Sequence, residues 1–315
     1  MLAAVVLFMP ALLLLVLIVV LFGPDAKVSY DREYEEQPPT DTPPALVPPL
    51  LRRANTPESN EFTATLFDLI RRGYYSAEPV AADEPTGGDL ELRPGDRYVA
   101  LQPFEKPVAG IFDAILTDGP VRVSELHARV GASSVDGFDR FKEGAREAIE
   151  SRGWYTFTAA RVLLLTSLGL FAIGMIGAWL LYSSSKSAAF YYGATTIDGA
   201  AVLFHASWIA KLVRRRRRTA AGQLEARRWE AFRSYLSDFP RLGETPAPAL
   251  ELWNELLVYA IAFGLADRVL ASAALYRLDM LSGSPIVWLG LQRTETTDVY
   301  TRLGSDILPS RGHRL

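Results

Sequence analysis

The stretch Arg161-Val-Leu-Leu-Leu-Thr-Ser-Leu-Gly-Leu-Phe-Ala-Ile-Gly-Met-Ile-Gly-Ala-Trp-Leu-Leu-Tyr182 decides how this chain is read. From Val162 to Tyr182 no residue is charged, and before Tyr182 only Thr166 and Ser167 bear a hydroxyl. These 21 residues match the length an α-helix needs to cross a hydrocarbon layer of about 30 Å. A polar turn follows at Ser183 to Ser187. A second apolar run then goes from Ala188 to Val213 and stops at five arginines, Arg214, Arg215, Arg216, Arg217 and Arg218. The pattern predicts transmembrane helices at 161–182 and 191–213, an external loop at 183–190 and a basic juxtamembrane segment at 214–222. The arginines are expected to anchor the topology and to touch anionic lipid headgroups.

Outward from this hairpin, residues 1–22 are uncharged and leucine-rich. A signal peptide would carry a basic start and a small-residue cleavage site, and neither is evident. The segment is read as a third transmembrane helix, kinked at Pro10. Lys and Arg orient the whole. The short loop carries only Lys186, whereas Arg161 and the five arginines flank the hairpin on the other side. The expectation is a multi-pass protein of the cell membrane, with the N-terminus outside and segments 23–160 and 214–315 cytoplasmic.

Residues 23–45, rich in proline and acids, read as an extended tether. A helix is expected from Glu61 to Arg72, capped by Ser59 or Asn60, with Phe62, Leu66, Leu69 and Ile70 on one face and Gly73 as its stop. Tyr74 to Glu78 and Asp89 to Leu101 read as returning strands about a Gly87-Gly88 turn. The pattern recurs: a helix at Phe104–Leu116, a strand at Val121–Val123, a helix at Val135–Glu150 with Phe138, Phe141, Ala145 and Ile149 on one face, and a strand at Trp154–Phe157. Two tandem winged-helix-like α+β units, 46–101 and 102–158, are predicted. Winged helices often bind DNA, but residues 23–160 hold 15 Lys and Arg against 24 Asp and Glu, a net −9. Such a segment repels phosphate. Only Arg71 and Arg72, ending the candidate recognition helix, point the other way. They are taken as interaction or packing residues, and nucleic acid is disfavoured as a partner.

Beyond the arginines, 223–278 reads as cytoplasmic or interfacial helices, a C-terminal helical pair. Trp229, Phe232, Leu236 and Phe239 share one face of the first. Leu250 to Ala274 forms the second, which carries Trp253. Its charge-free middle, Leu256 to Ala266, is too short to span and is expected to be buried between neighbours or to lie at the interface. Residues 279–315 read as a loose tail. The fold class is thus a mainly α membrane protein.

Ionisable groups at membrane depth draw attention, and Asp198 and His205 lie seven apart on one helix face. They are candidates for a proton- or ion-sensing pair. The plainer account puts Asp198 near the outer surface and His205 neutral, bonded to a neighbouring helix. Ser183-x-x-Lys186 matches a serine–lysine nucleophile only by chance, since its partner motifs are missing. Gly174 and Ala178 allow close helix packing. Cysteine is absent and the three histidines are scattered, so no metal centre, cofactor or thiol chemistry is expected.

Several stretches together resemble a known family. These are Tyr34-Glu-Glu-Gln-Pro-Pro, Phe62-Thr-Ala-Thr-Leu-Phe-Asp-Leu-Ile-Arg-Arg-Gly-Tyr, Gln102-Pro-Phe-Glu, Arg152-Gly-Trp-Tyr, Arg228-Trp-Glu-Ala-Phe-Arg-Ser-Tyr-Leu-Ser-Asp-Phe and Leu252-Trp-Asn-Glu-Leu-Leu-Val-Tyr. They are similar to the predicted membrane proteins grouped as domain of unknown function 2207. The resemblance implies a secretory signal and an extracellular β-rich domain ahead of Met1. It implies no catalytic residue for this chain.

Function is then expected to be that of a membrane scaffold or signalling adaptor, contacting lipid and a cytoplasmic protein partner. A proton- or ion-coupled transport or sensing component is the alternative, which three spans per chain would suit only as an oligomer. A membrane-tethered transcription regulator is a weaker one. No nucleophile–base, paired-carboxylate or phosphate-loop pattern suggests an enzyme.

Overall fold

The computed structural model describes residues 25–80, 89–129, 133–156, 217–238 and 250–273, with scattered positions between 162 and 207. The chain divides into two units: Met1–Val28 with Gly153–Gln223, and Ser29–Arg152 with Leu224–Leu315.

The larger unit is built round one buried helix. A 3-10 turn at Pro44–Leu46 leads into α1, Val47–Arg52. Pro48 and Pro49 sit in its first turn, where a missing N–H costs no intrahelical bond. The central helix α2 runs Ser59–Arg71, and Glu58 caps it rather than Ser59 or Asn60. Its start is a reciprocal capping box, in which Glu61 accepts the Glu58 N–H at 2.9 Å. Its end is set by Gly73 at φ +83°, with the Gly73 N–H donating to Ile70 and the Tyr74 N–H to Leu69. This glycine cap reverses the chain where a side chain would be strained. Every residue from Glu61 to Ile70 is buried, polar ones included, so α2 has no solvent face.

Strands β1 (Tyr75–Val80) and β2 (Asp89–Pro94) form an antiparallel hairpin, Tyr75 opposite Pro94. A short third strand, β3 (Val121–Arg122), pairs with β2, Val121 opposite Leu92. Helices α3 (Glu105–Ile115), α4 (Leu126–Arg129) and α5 (Ser133–Ser151) follow around it. Phe62 of α2 gathers Phe112 of α3 and Phe138 and Phe141 of α5, with ring centres 5.5 to 6.1 Å apart. The contacts with Phe138 and Phe141 are edge-on, and such pairs add to the burial itself.

The C-terminal helices complete this core. They are α6 (Ala220–Asp238), α7 (Leu250–Phe263) and α8 (Ala266–Ala273). α7 packs along α2. Tyr259 of α7 meets Trp229 and Phe232 of α6 at 4.9 and 5.7 Å. The segment before the core is bound to the same helices: Tyr34 donates to Asp238, and Thr40 and Thr42 donate to Glu225. In the smaller unit, β4 (Tyr155–Thr156) pairs antiparallel with β5 (Arg217–Arg218). Asp25 accepts the Arg218 N–H at 3.1 Å, and Trp154 accepts the Thr219 N–H at 2.9 Å.

The expected fold class is corrected in three respects. Among the described residues no helix is long and apolar enough to cross a membrane, against the three transmembrane helices expected. Residues 1–24, and 157–216 but for scattered positions, lie outside the described residues, as does the tail from 274. The tandem winged-helix-like units are not separate, because β3 extends the hairpin of the first and Phe62 shares one aromatic core with the helices of the second. The C-terminal helical pair is likewise no separate layer, since α7 is the lid of the α2 core. That burial accounts for the charge-free run of α7, where Leu256 to Ala262 are all buried.

Candidate functional site

The residues singled out from the sequence fall in different places. Asp198, His205, Arg214, Arg215 and Arg216 lie outside the described residues. Arg217 and Arg218 form β5, and Arg218 is only 3% exposed, its guanidinium donating to Gln223. Trp229, Phe232 and Trp253 are all core residues, exposed by 1% or less. The Trp229 indole N–H donates to Glu225 at 2.9 Å.

Arg71 and Arg72 close a buried charge cluster. Arg71 grips one carboxylate oxygen of Asp68 through Nε at 2.9 Å and Nη2 at 2.7 Å. Arg72 pairs with the other Asp68 oxygen at 2.9 Å and with Glu105 at 2.7 Å. Asp68 and Glu105 are almost fully buried. Burial penalises the Arg72 charge, yet Glu105 and Asp68 outweigh it and hold the guanidinium above its usual value. Both arginines are thus already paired with carboxylates of the fold.

Glu61 was not visible as special in the sequence. It is fully buried, accepts Arg52 Nη1 at 2.5 Å and the Glu58 N–H, and burial pushes its carboxyl above the usual 4.5 despite Arg52. The folded chain therefore holds this proton more tightly than the unfolded chain. Its stabilising contribution is complete below pH 4.5 and is lost as pH rises through the raised folded value. Glu61→Gln removes that loss. Plotted against pH above 4.5, the melting temperature of the variant should fall less steeply than that of the parent. Parallel curves would rule out this account of Glu61.

Among the described residues a groove of about 420 Å³ opens between α3 and α5. Pro103, Lys106, Pro107, Gly110, Ile111 and Ala114 line one side, Gly137 and Arg140 the other. Gly137 sits at the floor, where a Cβ would stand 2.6 Å from the Ile111 side chain, so a larger residue there would displace Ile111. Gly110 has nothing within 4 Å of where a Cβ would be, so the mouth is open. Lys106 and Arg140 are exposed and carry no ion pair with any described residue, although Arg140 Nε donates to the Asp136 carbonyl at 3.3 Å. Of the acids near Arg140 on α5, Asp139 pairs with Lys142 and Glu143 with Arg146, while the Asp136 side chain is exposed one turn before it. The spacing Lys106-x-x-x-Gly110-x-x-x-Ala114 was the available sequence signal, a small-residue stripe below a cation on one helix face. Among the described residues no three His, Asp or Glu side chains are arranged to hold a metal.

The larger unit is therefore an α-rich module with a sealed central helix and an open, basic-lipped groove on its rim. The chain belongs to the family described as predicted membrane protein (DUF2207), whose C-terminal domain model matches residues 31–272. No curated protein and no solved structure matches the chain.

Proposed function

We propose that this membrane-family protein is an adaptor whose larger unit docks a cytoplasmic protein. The observation that carries this reading is the division of labour round α2. The helix that a DNA-binding module would offer is buried along its length from Glu61 to Ile70, and its arginines are spent on Asp68 and Glu105. The groove of α3 and α5 stays open. The net −9 of residues 23–160 supports the same choice, because it disfavours nucleic acid.

Membrane attachment is served by the other unit. Leu165, Leu168, Ile173, Ile176 and Trp179 occupy helical positions and are each more than half exposed, an apolar surface suited to lipid. Arg214, Arg215, Arg216 and Arg217 meet anionic headgroups on the cytoplasmic side. The larger unit then works on that side.

The test is purification of the tagged full chain from membranes in mild detergent. A cytoplasmic protein is expected to co-elute at about one copy per chain and to stay bound at physiological salt. A chain that always elutes alone, or that conducts a pH-dependent ion flux in liposomes lost on Asp198→Asn, overturns the adaptor function.

A further inference from the structure

We infer that the α3–α5 groove binds an acidic segment of a partner protein, with Lys106 and Arg140 as its charge-reading residues. This deepens the adaptor reading and rests on it.

Charge complementarity is the first support. Although residues 23–160 carry a net −9, the groove mouth itself is a local positive spot, with two exposed cations that form no ion pair with a described residue. Elsewhere the arginines of this unit are mostly matched, Arg52 to Glu61, Arg72 to Glu105 and Arg97 to Asp113. The acids that flank Arg140 on its own helix, Asp139 and Glu143, are occupied by Lys142 and Arg146, and the Asp136 side chain is exposed one turn before it. On α3, Glu105 is buried under Arg72 and Asp113 is taken by Arg97 and Tyr75. Neither cation is ion-paired in the folded chain, so an incoming carboxylate competes at Arg140 only with the exposed Asp136, and arginine and lysine at an open rim mostly set recognition and rate of encounter.

Shape is the second support. From Lys106 to Ala114 the groove follows α3 for about 12 Å, at 1.5 Å per residue. A lipid phosphate needs only the few ångströms round one cation, whereas a peptide segment uses the whole length. Gly110 and Ala114 on the open side keep side chains out of the way, so a partner backbone can approach. Small floor, apolar middle and charged lip together fit a short segment that brings its carboxylates to the Lys106 and Arg140 end and lays small or apolar residues along Gly110 and Ala114.

The experiment places a photo-crosslinking phenylalanine analogue at Ala114 of the full chain in cells and maps the adducts by mass spectrometry. The expected adduct is a protein segment with more Asp and Glu than Lys and Arg. Its yield should drop at least tenfold in the double variant Lys106→Glu with Arg140→Glu, and should be retained in Lys106→Arg with Arg140→Lys. An adduct to lipid, a segment without net negative charge, a yield indifferent to charge reversal, or no adduct overturns the inference. Both substituted side chains are exposed, and unchanged melting of the variants confirms that they fold. If a partner still co-elutes stoichiometrically with the charge-reversed chain, the groove assignment falls while the adaptor function stands.

Discussion

Trp229→Ala should cost the larger unit about 3–5 kcal/mol, the range for removing a fully buried tryptophan. Trp229 has no solvent exposure and holds three neighbours at once. Its ring meets Phe232 edge-on at 5.5 Å and Tyr259 at 4.9 Å, and its indole N–H donates to Glu225. Glu225 in turn accepts Thr40 and Thr42, while Tyr259 donates to the Thr42 carbonyl at 2.7 Å. One side chain therefore ties α6 to α7 and both to the strap of residues 40–42. For a unit of this size the loss corresponds to a fall in melting temperature on the order of 10 °C. Trp229→Phe keeps most of the packing and loses the hydrogen bond, so it should lie closer to the parent. Thermal melts of the detergent-solubilised chain, followed by near-ultraviolet circular dichroism, check both. An alanine variant that melts with the parent would show that α6 is not part of this core.

Arg72→Ala should be comparably damaging, about 3–5 kcal/mol, because it strands a buried carboxylate. Glu105 is 1% exposed and its ion-pair partner is Arg72. Asp68 would keep Arg71. Arg71→Ala, by contrast, leaves Asp68 paired with Arg72 and should cost no more than about 1 kcal/mol. Arg72→Lys should recover only part of the loss, since a single ammonium cannot bridge two carboxylates as the planar guanidinium does. The contrast discriminates between roles. Side chains that read DNA would lower affinity without lowering stability, and would do so at both positions. Unfolding midpoints of the two alanine variants give the answer, and equal midpoints would remove the structural role assigned to Arg72.

Much of the local architecture was legible before the structure. Phe62, Leu66, Leu69 and Ile70 are buried as expected, although α2 is buried all round rather than on that face alone, and Gly73 ends the helix where a left-handed residue was needed. The hairpin, the α5 face of Phe138, Phe141, Ala145 and Ile149, and the α6 face of Trp229, Phe232 and Leu236 were read from spacing alone. Periodicity reports such faces directly, because it reflects which side of an element leaves water. The candidate groove was not legible in the same way. Lys106 and Arg140 are ordinary surface cations in a linear reading. They become a pair only when α3 and α5 close over Gly137.

What the amino-acid order determined by itself was the position of helices and turns, the apolar face of each, the acidic balance and the family. What the tertiary structure decided was partnership. It put α7 against α2 across nearly two hundred residues, joined two expected units into one, buried Glu61, and matched Arg72 with Glu105. The physical reason is that spacing encodes a face but not its counterpart. A charged side chain is hidden or shown according to a neighbour that arrives from elsewhere in the chain, and its cost inside is met only by that neighbour.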